Sequence, residues 1–250
     1  RGMSAWWTLF KRELSSLFLS PVAYVFAIAT AFTLGSSFAQ ILQILLDARE
    51  TNQQRIMQYF FGGSYPFWTY LIALTTALTM RLFAEEKRSG TIETLLTAPV
   101  SDVQVVLAKY LGALAFYLFL WLPTGLCFSF LGVKGLDLGN LASAYLGVVL
   151  VGGLFLAIGC LVSSLCTNQF VAAIVSALAL MLLFFGPLMV SAKALEHTFW
   201  RALFQHMNLI ALVGDFTRGL VTAAHLAYPI SLIACSLYLT VKVMGSRSWR

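Results

Sequence analysis

Residues 141–165 read LASAYLGVVLVGGLFLAIGCLVSSL, a run without one charged side chain and long enough to cross the hydrocarbon core of a bilayer as a single helix. A helix satisfies its own backbone hydrogen bonds where water is missing, so the run reads as a membrane span. Five more apolar runs accompany it, at about 22–46, 65–83, 109–131, 170–190 and 226–244. The whole chain is 60% hydrophobic and 10% charged, against about 25% charged in a soluble domain. The expected fold is an all-α membrane protein with six transmembrane helices in one domain over 3–250. Arg1 and Gly2 precede Met3 and read as a remnant of expression. The first apolar run is too long for a signal-peptide core and lacks a small-residue cleavage site, so it is expected to stay as a helix.

The net charge is +6. In a soluble protein that excess points to nucleic acid, but here the basic residues border apolar spans, and topology accounts for them without a nucleic-acid partner. Six spans put both ends on one side. Lys11 and Arg12 near one end, Lys242, Arg247 and Arg250 near the other, and Arg81, Lys87 and Arg88 between spans two and three share that side, which the positive-inside rule makes cytoplasmic. Arg49, Arg55, Lys134, Lys193, Arg201 and Arg218 fall opposite, and no other orientation does better. Cys127, Cys160, Cys166 and Cys235 sit scattered in apolar sequence with no metal-ligand spacing, as small packing residues.

Ahead of the first span, Trp6, Trp7, Phe10, Leu14, Leu17 and Phe18 fall on one helical face, with Lys11, Arg12, Ser15 and Ser16 largely opposite. This predicts an N-terminal interfacial amphipathic helix, its indoles at the headgroups and its cations toward anionic lipid, with Pro21 turning the chain inward. The other reading is the mere start of the first span.

Between spans two and three, residues 81–100 read RLFAEEKRSGTIETLLTAPV. Gly90 permits a sharp break, Thr91 can cap a short helix carrying Ile92, Leu95 and Leu96 on one face, and Pro99 stops it. Ser101 and Gln104 have capping-box spacing and start the next helix. A one-turn apolar face in a loop cannot bury itself alone, so it either docks into a groove on a partner or turns along the lipid surface.

Gly147, Gly152, Gly153, Ala157 and Gly159 make the fourth span a close-packing helix, with small-x-x-x-small spacing at Gly153 and Ala157. Pro123 and Pro187 predict kinks or helix ends. From 191 to 224, Trp200, Leu203, Phe204 and Met207 repeat at helical spacing until Gly214, Asp215, Arg218 and Gly219 interrupt. Short helices re-entering the outer leaflet are expected. Trp200, Phe204, Asp215, Phe216 and Arg218 are then candidates for an external gate, or else for a partly exposed cap.

These residues resemble a known family. Residues 85–101, EEKRSGTIETLLTAPVS, followed by Val106-Leu107-Ala108-Lys109, look like the cytoplasmic loop of ABC-2 type permeases. Residues 159–173, GCLVSSLCTNQFVAA, are similar to that family's turn between spans four and five. Ser20-Pro21 and residues 215–220, DFTRGL, match as well. The short external loops resemble the gliding-motility-associated subgroup, which commonly works beside a second membrane protein with a large extracytoplasmic domain. The resemblance implies a permease subunit in a bacterial inner membrane, paired with a second permease subunit, each bound to an ABC ATPase subunit that holds ATP and Mg. It implies that residues 90–97 form the coupling helix on that ATPase, with Gly90, Thr91, Ile92, Glu93, Leu95 and Leu96 in it and Glu85, Glu86, Lys87 and Arg88 leading in. It further implies that residues 6–18 are the family's connecting helix, and export as the direction.

The chain has no G-x-x-x-x-G-K-[ST] phosphate cradle, so hydrolysis is expected in another chain, with no cofactor bound here. Glu85-Glu86 with Arg88 fails the spacing of paired-glutamate intramembrane proteases, and Glu196-His197, His206 and His225 form no zinc site. An ATP-independent secondary transporter or channel is the alternative, but the span cores lack the ionisable residues such proteins place there. ATP-driven work on an external partner, without transfer of a substrate, fits the same architecture.

Overall fold

The computed structural model describes residues 2–48, 53–90, 101–130, 138–190 and 207–246. Among these residues the secondary structure is ten helices and no strand: α1 (Gly2–Leu19), α2 (Pro21–Ala48), α3 (Gln53–Phe60), α4 (Tyr65–Thr79), α5 (Ala84–Ser89), α6 (Asp102–Phe130), α7 (Leu138–Leu165), α8 (Gln169–Val190), α9 (Leu209–Thr217) and α10 (Ala223–Gly245). Six stretches are long and apolar enough to cross a membrane, carried by α2, α4 with α5, α6, α7, α8 and α10. The six spans expected from the apolar runs are therefore present. Neither Pro123 nor Pro187 ends its helix.

The uncharged helix α7 is the centre of the bundle. Its apolar window is 72% buried, against 17% for those of α2 and α10, which line the outside. Helices α4, α6, α8, α9 and α10 all pack on it. In an apolar solvent no hydrophobic force drives helices together, so close contact of small residues has to do it. Gly152 lies directly under the buried ring of Tyr117 on α6, and Gly159 under Thr79 on α4; a Cβ at either position would collide with those side chains. The close approach is fixed by hydrogen bonds to α7 carbonyls, from the Tyr117 hydroxyl to Val148 at 3.1 Å and from the Tyr110 hydroxyl to Gly153 at 3.2 Å.

Helix α1 is separated from α2 by Ser20 alone, and Pro21 takes the first position of α2, where its missing N–H costs nothing. It runs along the first half of α6: Phe18 meets Phe116 and Phe119 edge-on at 5.0 and 4.9 Å between ring centres, and Glu13 lies over Gly112. Gly245 at the end of α10 lies against the Asp102 carboxylate at the start of α6, so α10 ends at the same end of the bundle as α1 and α5.

The opposite end is closed by aromatic packing that the sequence reading does not announce. Phe60 and Phe61 at the end of α3 are buried against Phe128 of α6, with ring centres 4.8 and 5.6 Å away, and Phe61 also meets Tyr145 of α7 at 5.1 Å.

Gly152→Ala is expected to lower stability in detergent by about 1–3 kcal/mol through overpacking. Combined with Tyr117→Leu, the loss should be smaller than the sum of the two single losses. Thermal unfolding of the four variants of the cycle measures both, and strict additivity would mean that the two side chains do not compete for this space.

Candidate coupling site

At the end shared by α1 and α5, the segment between α4 and α6 is held from three directions. Phe83 is fully buried and starts α5, whose first N–H groups have no partner within so short a helix. The Ser163 hydroxyl near the end of α7 supplies one, accepting from the N–H groups of Phe83 and Ala84 at 3.2 Å each. Lys87 donates its ammonium to the Ser164 carbonyl. The acids Glu85 and Glu86 in the first turn and the bases Lys87 and Arg88 in the last complement the helix dipole. Gly90 then takes the left-handed conformation, φ 74°, and ends α5.

The second hold is electrostatic. Lys109, two turns into α6, is only 2% exposed. Its ammonium lies 2.7 Å from Glu86 Oε1 of α5 and 3.2 Å from Glu13 Oε2 of α1, and 5.5 Å from the centre of the Phe83 ring. Arg12 donates to Glu13 Oε1 at 2.9 Å and stands 3.9 Å from Glu86 Oε1. Two cations and two anions make the cluster neutral. Removing an ammonium from water costs several kcal/mol, and close, well-placed carboxylates are what offset it.

The third hold is the start of α6. Gln104 N–H donates to the Ser101 hydroxyl at 3.4 Å and Ser101 N–H to Gln104 Oε1 at 3.1 Å, the reciprocal capping box expected from the spacing. Both flanks of segment 91–100 are thus anchored. Thr91, Ile92, Glu93, Leu95 and Leu96, assigned to a coupling helix on sequence, lie outside the described residues. Of the four residues leading in, Glu86 enters the cluster and Lys87 bonds to the end of α7, while Glu85 and Arg88 are exposed.

On α1, Trp6 and Trp7 stack against Phe10 with ring centres 5.8 and 5.5 Å apart, Lys11 lies over the Trp7 ring at 5.3 Å, Leu14 is half-buried, and Arg12 belongs to the charge cluster. Sequence reasoning missed Glu13 and Lys109. A cation at a span border reads as a topology marker. The Ser101 cap, which sets Lys109 two turns inside a helix, was the signal that could have singled it out.

At the other end, Phe216 of α9 is fully buried beneath Gly147 of α7, and its carbonyl accepts from the Ser143 hydroxyl at 2.6 Å. Asp215 Oδ2 faces His225 Nε2 of α10 at 3.5 Å. With the Gln58 amide oxygen turned toward it, Arg218 donates two hydrogen bonds at 2.7 and 3.1 Å. These three gate candidates therefore tie α9 to α7, α10 and α3. Trp200 and Phe204 lie outside the described residues.

An apolar bundle of six spans, with one polar cluster at one end and an aromatic closure at the other, is a multi-pass membrane protein. A family model described as ABC-2 family transporter protein matches residues 27–209, well over half of the chain, and the chain belongs to that family. It is a transmembrane component of an ABC transporter and not itself the ATPase, which the family supplies as a partner subunit. No curated protein matches the chain in a sequence search.

Lys109→Met, leaving two carboxylates with only the largely exposed Arg12 to balance them, is expected to cost about 2–4 kcal/mol. The triple change with Glu13→Gln and Glu86→Gln should recover much of it, because the uncompensated charge is gone. Unfolding midpoints decide; a triple variant less stable than Lys109→Met would show that the carboxylates are held by other partners.

Proposed function

We propose that the chain is the permease subunit of an ATP-driven ABC exporter, and that segment 91–97 is its coupling helix on a separate ATPase subunit that binds ATP and Mg. The observation that carries this reading is the anchoring of both flanks of that segment. Gly90 is joined through α5 to Ser163 and Ser164 of α7, and Ser101 through α6 to Lys109, Glu13 and Glu86. A push on the loop then moves α1, α4, α6 and the α7 to α8 turn together instead of being absorbed locally. Closure of the ATPase pair on ATP supplies the bias between two arrangements of the bundle.

In this reading a second permease subunit completes the complex, both chain ends are cytoplasmic in a bacterial inner membrane, and the closure made by α3 and α9 is the external gate. Likeness to the gliding-motility-associated permeases adds a neighbouring membrane protein with a large extracytoplasmic domain, on which the same motion performs its work.

Replacing Ile92, Leu95 and Leu96 together by Asp is expected to abolish co-purification of the ATPase subunit. Lys109→Met should leave that association in place and lower ATP hydrolysis by the reconstituted complex severalfold. ATPase still bound to the triple-Asp chain would rule out docking through this segment. The orientation has its own check: a cysteine at Ser89 should react with a membrane-impermeant reagent only from the cytoplasmic side, and labelling of intact cells from outside would reverse it.

A further inference from the structure

Arg81 differs from the other cations at its end of the bundle. Lys11, Arg88 and Lys242 are exposed, whereas Arg81 is half-buried, and its Nε is out of reach of solvent with no hydrogen-bond acceptor among the described residues. No carboxylate lies within ion-pair distance of it among those residues, although Glu13 and Glu86 stand at the same end of the bundle committed to Lys109 and Arg12. A guanidinium donor in that position asks for an anion.

The space beside it has a definite chemistry. Arg81 borders a small, half-open cleft whose other walls include Ser20, Phe26, Ala77, Leu78 and Phe116. The pocket is aliphatic and aromatic apart from Arg81 and Ser20. It opens beside α2, whose Tyr24, Val25 and Ile28 are 63–70% exposed and form an apolar outer surface. A small soluble anion would meet the guanidinium but gain nothing from the hydrocarbon walls. A charged head joined to an acyl chain uses both.

The geometry points to a binding site for one anionic phospholipid at the joint between α1 and α2, its headgroup phosphate on Arg81 and the start of an acyl chain against Phe26, Leu78 and Phe116. The planar fork of the guanidinium suits bidentate contact with phosphate oxygens. The site sits where Ser20 separates the two helices, so an occupant braces the angle between α1 and the first span. This assignment does not depend on the ATPase reading, since it concerns the chain and its bilayer alone.

The test is native mass spectrometry of the full chain in detergent, titrated with phosphatidylglycerol or with phosphatidylcholine of the same acyl chains. The first phosphatidylglycerol should bind about tenfold more tightly than phosphatidylcholine, because both carry the phosphate but only phosphatidylcholine sets a quaternary ammonium beside the guanidinium. Arg81→Gln should erase that difference and Lys242→Gln should keep it. Ala77→Phe, which fills the pocket and retains the cation, should erase it as well, and serves if Arg81→Gln does not fold. Equal binding of the two lipids by the unaltered chain, or a preference surviving in both pocket variants, overturns the site. Displacement of phosphatidylglycerol by millimolar inorganic phosphate would assign the pocket to a soluble anion and overturn the lipid.

Discussion

A lysine ammonium withdrawn from water must find compensation from its surroundings, and Lys109 finds it in two carboxylates on two other helices. One glutamate would balance Lys109 by itself; the second leaves an excess negative charge, which Arg12 balances. The consequence is geometric. Helices α1, α5 and α6 have to keep their relative positions or leave a charge unpaired in a place poor in water, a far steeper penalty than sliding one apolar surface over another. The ion pairs therefore fix this end of the bundle more tightly than apolar contact alone would.

The central helix explains how that constraint reaches the rest of the molecule. Gly152 and Gly159 let α6 and α4 approach α7 closely, and the Tyr110 and Tyr117 hydroxyls fix the spacing by bonding to α7 carbonyls. Ser163, near the end of the same helix, caps α5. One continuous element therefore runs from the polar cluster to Gly147, where Phe216 is seated, and touches α9 at the far end.

The six spans were legible because each is a long apolar run with charge only near its borders, a pattern that depends on the bilayer and little on tertiary detail. The capping box at Ser101 and the break at Gly90 were legible for a similar reason, since each is decided within a few residues. The charge cluster was not, because its members come from positions 12, 13, 86 and 109 and acquire meaning only when three helices meet. Glu13 in particular sits among Phe10, Leu14 and Leu17, where a helical-wheel reading treats it as an interruption of an apolar face. Helix α3 was hidden in another way: Phe60 and Phe61 form too short an apolar stretch to stand out, and their partner Phe128 lies in a distant span.

The polar cluster also sets an order on assembly. Glu13 and Lys109 are 96 residues apart in the chain, so at about 5–20 residues per second a ribosome makes the lysine roughly 5–20 s after the glutamate. During that interval α1 has no α6 to lie against. Glu86 is made only 23 residues before Lys109, so the segment carrying α5 has a far shorter wait. The cluster therefore closes only once α6 has been made, and α1 is the member that waits longest.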